Sequence, residues 1–195
     1  MGDVELPNHE ELSELKENNF DKRVALVTSV FAVILAITSL GGSNAMKGML
    51  LAQQQSSDQW AFYQSKVIRE HLYRTTKAQT EAALLDRGAA MSAKARQKYE
   101  ELAKGYAAEE ARFKEEKKQI EVVAKKLEAD RDLNGSRDPY FDYAEVLLQI
   151  AIVMSSISIM TYSRGIFWFA TGFASLGSIL TINGFLLLFR LPFLH

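Results

Sequence analysis

The chain has 195 residues, with 23 Lys+Arg against 24 Asp+Glu and a formal net charge of -1. This near-neutral balance excludes a generally basic nucleic-acid binder, and the absence of Cys excludes disulfide scaffolds, thiolate metal sites and thiol catalysis. A mean hydropathy of -0.09 resembles that of a soluble protein, but the average conceals a segregation. Apolar residues fall in three blocks and the charges lie almost entirely between them.

Residues 1–23 form an acidic N-terminal tail (Glu10, Glu11, Glu14, Glu17, Asp21) that ends in Lys22-Arg23. The first apolar block occupies 24–43, with an uncharged run from Val24 to Leu40 of about 17 residues, the short end of what crosses a hydrocarbon core. Gly41-Gly42-Ser43 offers the small residues of a signal-peptide cleavage site. The preceding acidic segment is the wrong leader for one, so an uncleaved membrane anchor is the expectation.

Residues 44–137 read as an extramembrane helical hairpin. The stretch 41–143 holds 18 of the 23 basic and 16 of the 24 acidic residues, and no Pro occurs between Leu50 and Asp138. Ala, Glu, Lys, Gln and Arg dominate, which favours long helices. Alternate steps of four and three from Ala95 reach Tyr99, Leu102, Tyr106, Glu109, Phe113, Glu116, Ile120, Val123 and Leu127. This 3.5-residue period predicts coiled-coil packing, interrupted only by Glu109 and Glu116, whose expected role is register control. Upstream, Leu50, Leu51, Trp60, Tyr63, Val67, Ile68, Leu72, Ala82 and Leu85 form a broader stripe. Asp86-Arg87-Gly88 is the expected turn, with Gly88 as a C-terminal cap. It divides the segment into two arms of about 65 Å each, the second ending at Asp132-Leu133-Asn134-Gly135.

The second apolar block is expected to span 138–163, with Asp138 as N-cap and Pro139 at the first helical position. The third spans 164–190, and residues 191–195 form a C-terminal tail. The fold class predicted is therefore an all-α membrane protein: three transmembrane helices with a long antiparallel coiled-coil hairpin between the first and second. Lys16, Lys22, Arg23 and Arg164 against Arg190 place the N-terminus in the cytoplasm and the arm in the periplasm of a bacterial inner membrane.

The stretch Ser57-Asp58-Gln59-Trp60-Ala61-Phe62-Tyr63-Gln64-Ser65-Lys66 resembles a bacterial membrane-protein family known as domain of unknown function 4337. The resemblance extends to the layout of one span, long helices and two closing spans. It implies this architecture and carries no catalytic residue with it.

The candidate interaction residues are Trp60, Phe62 and Tyr63, the seam aromatics Tyr99, Tyr106 and Phe113, and a small-residue face of the third span, Ala170, Ala174, Gly177 and Ser178. Small residues at four-residue spacing let membrane helices approach closely, either within the chain or between copies. Gly172 and Gly184 lie off that stripe and suggest a second free face. Glu145 and Gln149 are the candidate intramembrane polar residues, since an ionisable group in a span marks a functional hypothesis; hydrogen bonding between helices by Gln149 and nearby serines is the competing reading. His71 has no second ligand at metal spacing, and His9 and His195 sit in the tails, so no metal or other cofactor is expected. No phosphate loop, nucleophile elbow or metalloprotease motif occurs. These features point away from an enzyme and from nucleic-acid binding. The expected role is a membrane scaffold or accessory subunit, with the lipid bilayer, further copies of itself and a larger membrane complex as partners. A channel or transporter component with spans two and three lining a pore, and a sensor subunit, are the alternatives.

Overall fold

The computed structural model describes the backbone of residues 9–190 and the side chains from residue 19 to 190. Lys16, His9, His195 and the glutamates of the N-terminal tail lie outside the described side chains. Three α-helices follow one another: α1 (His9–Arg87), α2 (Ala93–Thr161) and α3 (Arg164–Leu186). All three are long and apolar enough to cross a membrane, and no strand occurs among the described residues.

The connections are short. Residues 88–92 join α1 to α2, at the expected break. The N–H of Gly88 donates to Leu84 O at 3.0 Å, and no glycine among the described residues takes a positive φ, so the helix ends without the left-handed glycine cap the sequence suggests. Gly88 is needed for room instead, because a Cβ there would meet the carbonyl oxygen of Leu84. Ser92 caps α2, its Oγ accepting from Ala95 N at 3.3 Å. Between α2 and α3 only Tyr162 and Ser163 remain. Tyr162 adopts a left-handed φ of 48°, and Ser158 Oγ donates to Ser163 O at 2.9 Å to close the turn.

No helix break marks either expected boundary: α2 runs unbroken through Asp132–Gly135 and Asp138-Pro139, with Pro139 inside it. No new helix therefore starts at Asp138, although the second compact unit does end at Asp132. An interior Pro removes one backbone bond and costs about 3 kcal/mol. Burial of the next two side chains, Tyr140 and Phe141 at 2% exposure each, offsets a cost of that size, at roughly 1.5–3 kcal/mol for a large apolar group. Likewise α1 continues without a break from the acidic segment through the first apolar block and on to Arg87.

The chain forms two units: Met1–Gly48 with Leu133–His195, and Met49–Asp132. In the first, the three helices meet around Phe31, Leu148, Ala151 and Ala174, with Val27, Ile34, Leu35, Ile152 and Phe173 packed against them. Phe141 is the largest wedge. Its ring lies where a Cβ on Gly41 or Gly184 would fall, 2.6 and 2.9 Å away, and its own Cβ crowds Gly42 at 3.2 Å. Phe185 meets the same ring edge-on at 4.9 Å. Glycine inside a helix is about 1 kcal/mol worse than alanine, so Gly41, Gly42 and Gly184 are explained by the socket they make for this ring. Gly41-Gly42, which resembled a cleavage site, is helical packing surface.

At the far end of α3, Leu187 takes a left-handed φ of 49° and its N–H donates to Asn183 O at 2.7 Å. The Asn183 amide then clamps Phe189 twice, accepting from its N–H at 2.9 Å and donating to its carbonyl at 2.8 Å. Tyr140 Oη donates to that carbonyl as well, at 3.0 Å.

Candidate functional site

The second unit has the densest side-chain chemistry of the described residues. Its two helical segments run past each other in opposite senses: Arg131 reaches Gln53, Trp60 reaches Glu128, Lys66 reaches Glu116 and Lys77 reaches Glu110. On α2 the line facing the partner helix is Ala103, Tyr106, Glu110, Phe113, Lys117, Ile120, Ala124 and Leu127, all buried or half-buried. Tyr106, Phe113, Ile120 and Leu127 are the expected seam positions. The intervening ones are each displaced by one residue from the sequence reading: Leu102 is 37% exposed and Val123 is 46% exposed, whereas Ala124 is fully buried. Tyr99, in step with the kept positions, is 37% exposed at the open end of the line.

The displacement has an electrostatic reason. It places Glu110 opposite Lys77 at 2.6 Å and Lys117 opposite Glu70 at 2.5 Å, and it sets small Ala103 and Ala124 where the helices approach. Glu109 and Glu116, expected to interrupt the seam, flank it instead. Glu109 pairs with Arg112 of its own helix at 2.8 Å, and Glu116 reaches across to Lys66 at 2.6 Å.

On α1 the inward line is Met49, Ala52, Ser56, Gln59, Tyr63, Lys66, Glu70, Tyr73, Lys77, Thr80 and Leu84, every position buried or half-buried. These steps of three and four keep the 3.5-residue period that sequence reading missed, because most of the residues are polar. The apolar residues that attracted attention face away: Leu50, Leu51, Ile68, Leu72 and Leu85 are all more than half exposed.

The ion pairs perturb their members. The Lys77 ammonium donates to Glu110, raising the lysine above its ordinary range and holding the carboxyl below its own. Lys66 does the same to Glu116, and Glu121 raises Lys125 within one turn of α2. At the centre, Phe113 (3% exposed) stacks on Tyr73 at 5.6 Å. The Lys66, Arg69 and Arg112 cations lie 4.7 to 5.9 Å from its ring centroid. Tyr106 meets Tyr73 at a tilt, with ring centroids 6.1 Å apart.

The Trp60 patch divides. Trp60 donates to Glu128 at 2.9 Å and meets Tyr63 edge-on at 5.3 Å, so both pack within the paired segments. Phe62 points outward, half-exposed, with Lys66 over its ring at 4.8 Å. In the first unit, Ala170, Ala174 and Gly177 are buried against the chain's own helices. A Cβ on Gly177 would touch Leu148 at 3.0 Å and Ala144 O at 3.1 Å. Gly184 sits in the Phe141 socket, so of the two off-stripe glycines only Gly172 opens onto free space. Ser178 donates to Ala174 O within α3.

The family model for a domain of unknown function (DUF4337) matches residues 20–187. The chain belongs to this family. No curated protein and no solved structure matches the chain. The DUF4337 match takes in the apolar parts of all three helices and the whole of the second unit.

Within this DUF4337 region, Gln149 donates to Glu145 at 3.2 Å on the exposed side of α2. This bond is within one helix. The nearby serines also bond within their own chain segment: Ser156 to Ile152 O and Ser158 to Ser163 O, while the Ser155 hydroxyl is buried with no partner. Thr38 and Thr181 do link α1 and α3, their hydroxyls 2.7 Å apart. His71 is exposed and its Nδ1 lies 2.8 Å from Arg74 Nη2. Among the described residues, no three His, Cys, Asp or Glu side chains converge as a metal site would require.

Proposed function

We propose that this protein is a non-enzymatic, multi-pass scaffold or accessory subunit of a bacterial inner membrane, self-associating through a coiled-coil hairpin arm. The observation that carries the reading is the arm's polarity: ion pairs line the interior of the paired segments while large apolar side chains, Leu50, Leu51, Phe62, Ile68 and Leu72, lie outside. A water-exposed hairpin built to stand alone puts such residues inside. Large apolar side chains left outside along one helix of the pair support an interaction face there.

The measurement is the mass of the detergent-solubilised particle by light scattering at micromolar concentration. An oligomer, or a stoichiometric partner retained through purification, supports the reading. A lone monomer ends it. Topology has its own check. The short-loop charges assign the arm to the periplasm, so cysteines replacing exposed Lys94 and Lys118 are expected to react with an impermeant thiol reagent in intact cells. Reaction only after lysis reverses the orientation.

One observation favours a second reading, a ring-shaped channel component. Glu145 and Gln149 face out of the three-helix packing rather than into it, and charged groups in spans ordinarily avoid lipid. In a ring of copies they would meet a neighbour or line a shared path. Ion flux into proteoliposomes, abolished by Glu145→Gln, is the test.

A further inference from the structure

We propose that the outward stripe of α1 between residues 50 and 85 is where a second copy of this chain docks, running in the same direction and in register. The proposal rests on the self-associating reading above and names the surface that performs it.

The stripe lies opposite the buried line of α1 and repeats in steps of four and three, the spacing that keeps one helix face on a partner along a supercoil. Its apolar members are Leu50, Ala61, Ile68, Ala78, Ala82 and Leu85, all exposed. Gln54, Ser57, Gln64, His71 and Thr75 complete it, and they too are exposed. No Asp, Glu, Lys or Arg stands at any of these positions. The outward face of α2 is the opposite, with Glu101, Lys104, Glu115, Lys118 and Lys125 exposed to solvent. The outward face of α2 carries charge and the outward stripe of α1 does not.

The composition of the stripe selects its occupant. In an in-register pair of copies each residue meets its own twin. A charged residue would then meet like charge, whereas an amide or hydroxyl both donates and accepts and satisfies its image. Every member of the stripe tolerates self-contact. A helix from an unrelated protein imposes no such rule, since a Lys on one side can face a Glu on the other. A lipid surface calls for a continuous apolar face bordered by Lys and Arg, and Gln54, Ser57 and Gln64 interrupt the face too regularly for that. Direction follows from continuity: the first apolar block and the stripe belong to one helix, so copies inserted alike in one membrane run α1 in parallel. A stripe about 54 Å long on a helix about 10–12 Å wide offers roughly 550–650 Å² per copy. Stable interfaces bury about 800 Å² per partner, so the contact is modest alone and is strengthened by confinement of both copies to one bilayer.

The chain contains no Cys, so a single introduced cysteine reports one position. In membranes holding the full chain, Ala61→Cys, Ala78→Cys and Ala82→Cys are each expected to give disulfide-linked dimers on mild oxidation. Glu101→Cys and Lys118→Cys on α2 are expected to stay at background. Ile68→Lys, at an exposed position, is expected to halve the particle mass with helix content unchanged. Linking at one of the three stripe positions alone indicates antiparallel pairing and overturns the proposal, as does equal linking at the α2 controls. An oligomer by mass with no linking on the stripe overturns this surface and leaves self-association standing. A monomer by mass removes both.

Discussion

The first unit and the second solve opposite packing problems with a shared arrangement on α1. In the first, Val30, Val33 and Ile37 point outward while Val24, Phe31 and the Thr38 hydroxyl point in; lipid is the natural solvent for that outer face. In the second, the same helix again turns Leu50, Ile68 and Leu72 outward, and its inward line carries Lys66, Glu70 and Lys77. Helix α2 behaves differently in the second unit, with Phe113, Ile120 and Ala124 in and Lys118 and Lys125 out. The difference teaches that exposure of apolar residues has two meanings. Where the interior is small and close-packed the outer face suits lipid; where the interior is ion-paired the outer face is the one the proposed self-association would use.

The two interiors are expected to fail in different ways. The largest effect is at Phe113. Truncation to Ala removes a buried ring stacked on Tyr73 and is expected to cost about 3–5 kcal/mol, read as a loss of thermal stability in detergent by circular dichroism. Leu102→Ala, at an exposed expected seam position, should change little; equal losses would restore the sequence-derived seam. Alanine is the better probe than aspartate, because a carboxylate at 113 would find Lys66, Arg69 and Arg112 around it.

In the first unit the sensitivity runs the other way, to added volume. Gly184→Leu crowds the Phe141 ring and is expected to cost about 1–3 kcal/mol, whereas Gly172→Leu enters open space and should be close to neutral. A matching loss at Gly172 would show that a neighbouring molecule covers that face.

Charge reversal separates the two interiors again. Glu110→Lys sets like charges against Lys77 and is expected to lower the melting temperature. Adding Lys77→Glu restores the pair with reversed sign and should recover much of the loss. Failure of the double variant to recover would mean that the pair does not form.

The smallest effect is the response to pH. Glu110 and Glu116 are held below their ordinary range, so the folded state binds fewer protons there than the unfolded one. Their contribution is complete above the unfolded value of about 4.3 and is lost as pH falls through the lower folded values. Lys77 and Lys125 are raised, so theirs is complete below about 10.4 and is lost as pH climbs through the folded values. The second unit is therefore expected to melt earlier at both extremes, and Glu110→Gln should flatten the acid side.

Much of this architecture is legible in the order of residues, because long apolar blocks and charge-rich helical stretches are composition-scale signals. The break at Gly88 was legible for the same reason, as was half of the α2 seam. The other half was not, since Leu102 against Ala103 and Val123 against Ala124 differ by one residue, and the choice depends on which charges stand across the gap. The inward line of α1 was hidden because hydrophobic periodicity assumes that apolar residues point in. Pro139 misled for a local reason: a Pro after Asp is a strong helix-start signal, outweighed here by the burial of Tyr140 and Phe141. The Phe141 socket, built from Gly41, Gly42 and Gly184, joins residues too distant in the chain for any local pattern to connect.

The two-residue link at Tyr162-Ser163 has a consequence for biosynthesis. With so short a tether, α3 cannot be delivered to the membrane in a separate event from the end of α2. Both apolar stretches must be held together by the insertion machinery and enter the bilayer as one hairpin. Lengthening that tether with a flexible insert would uncouple insertion of α2 from insertion of α3, and chains caught with α3 left outside would then accumulate as a protease-sensitive species during translation.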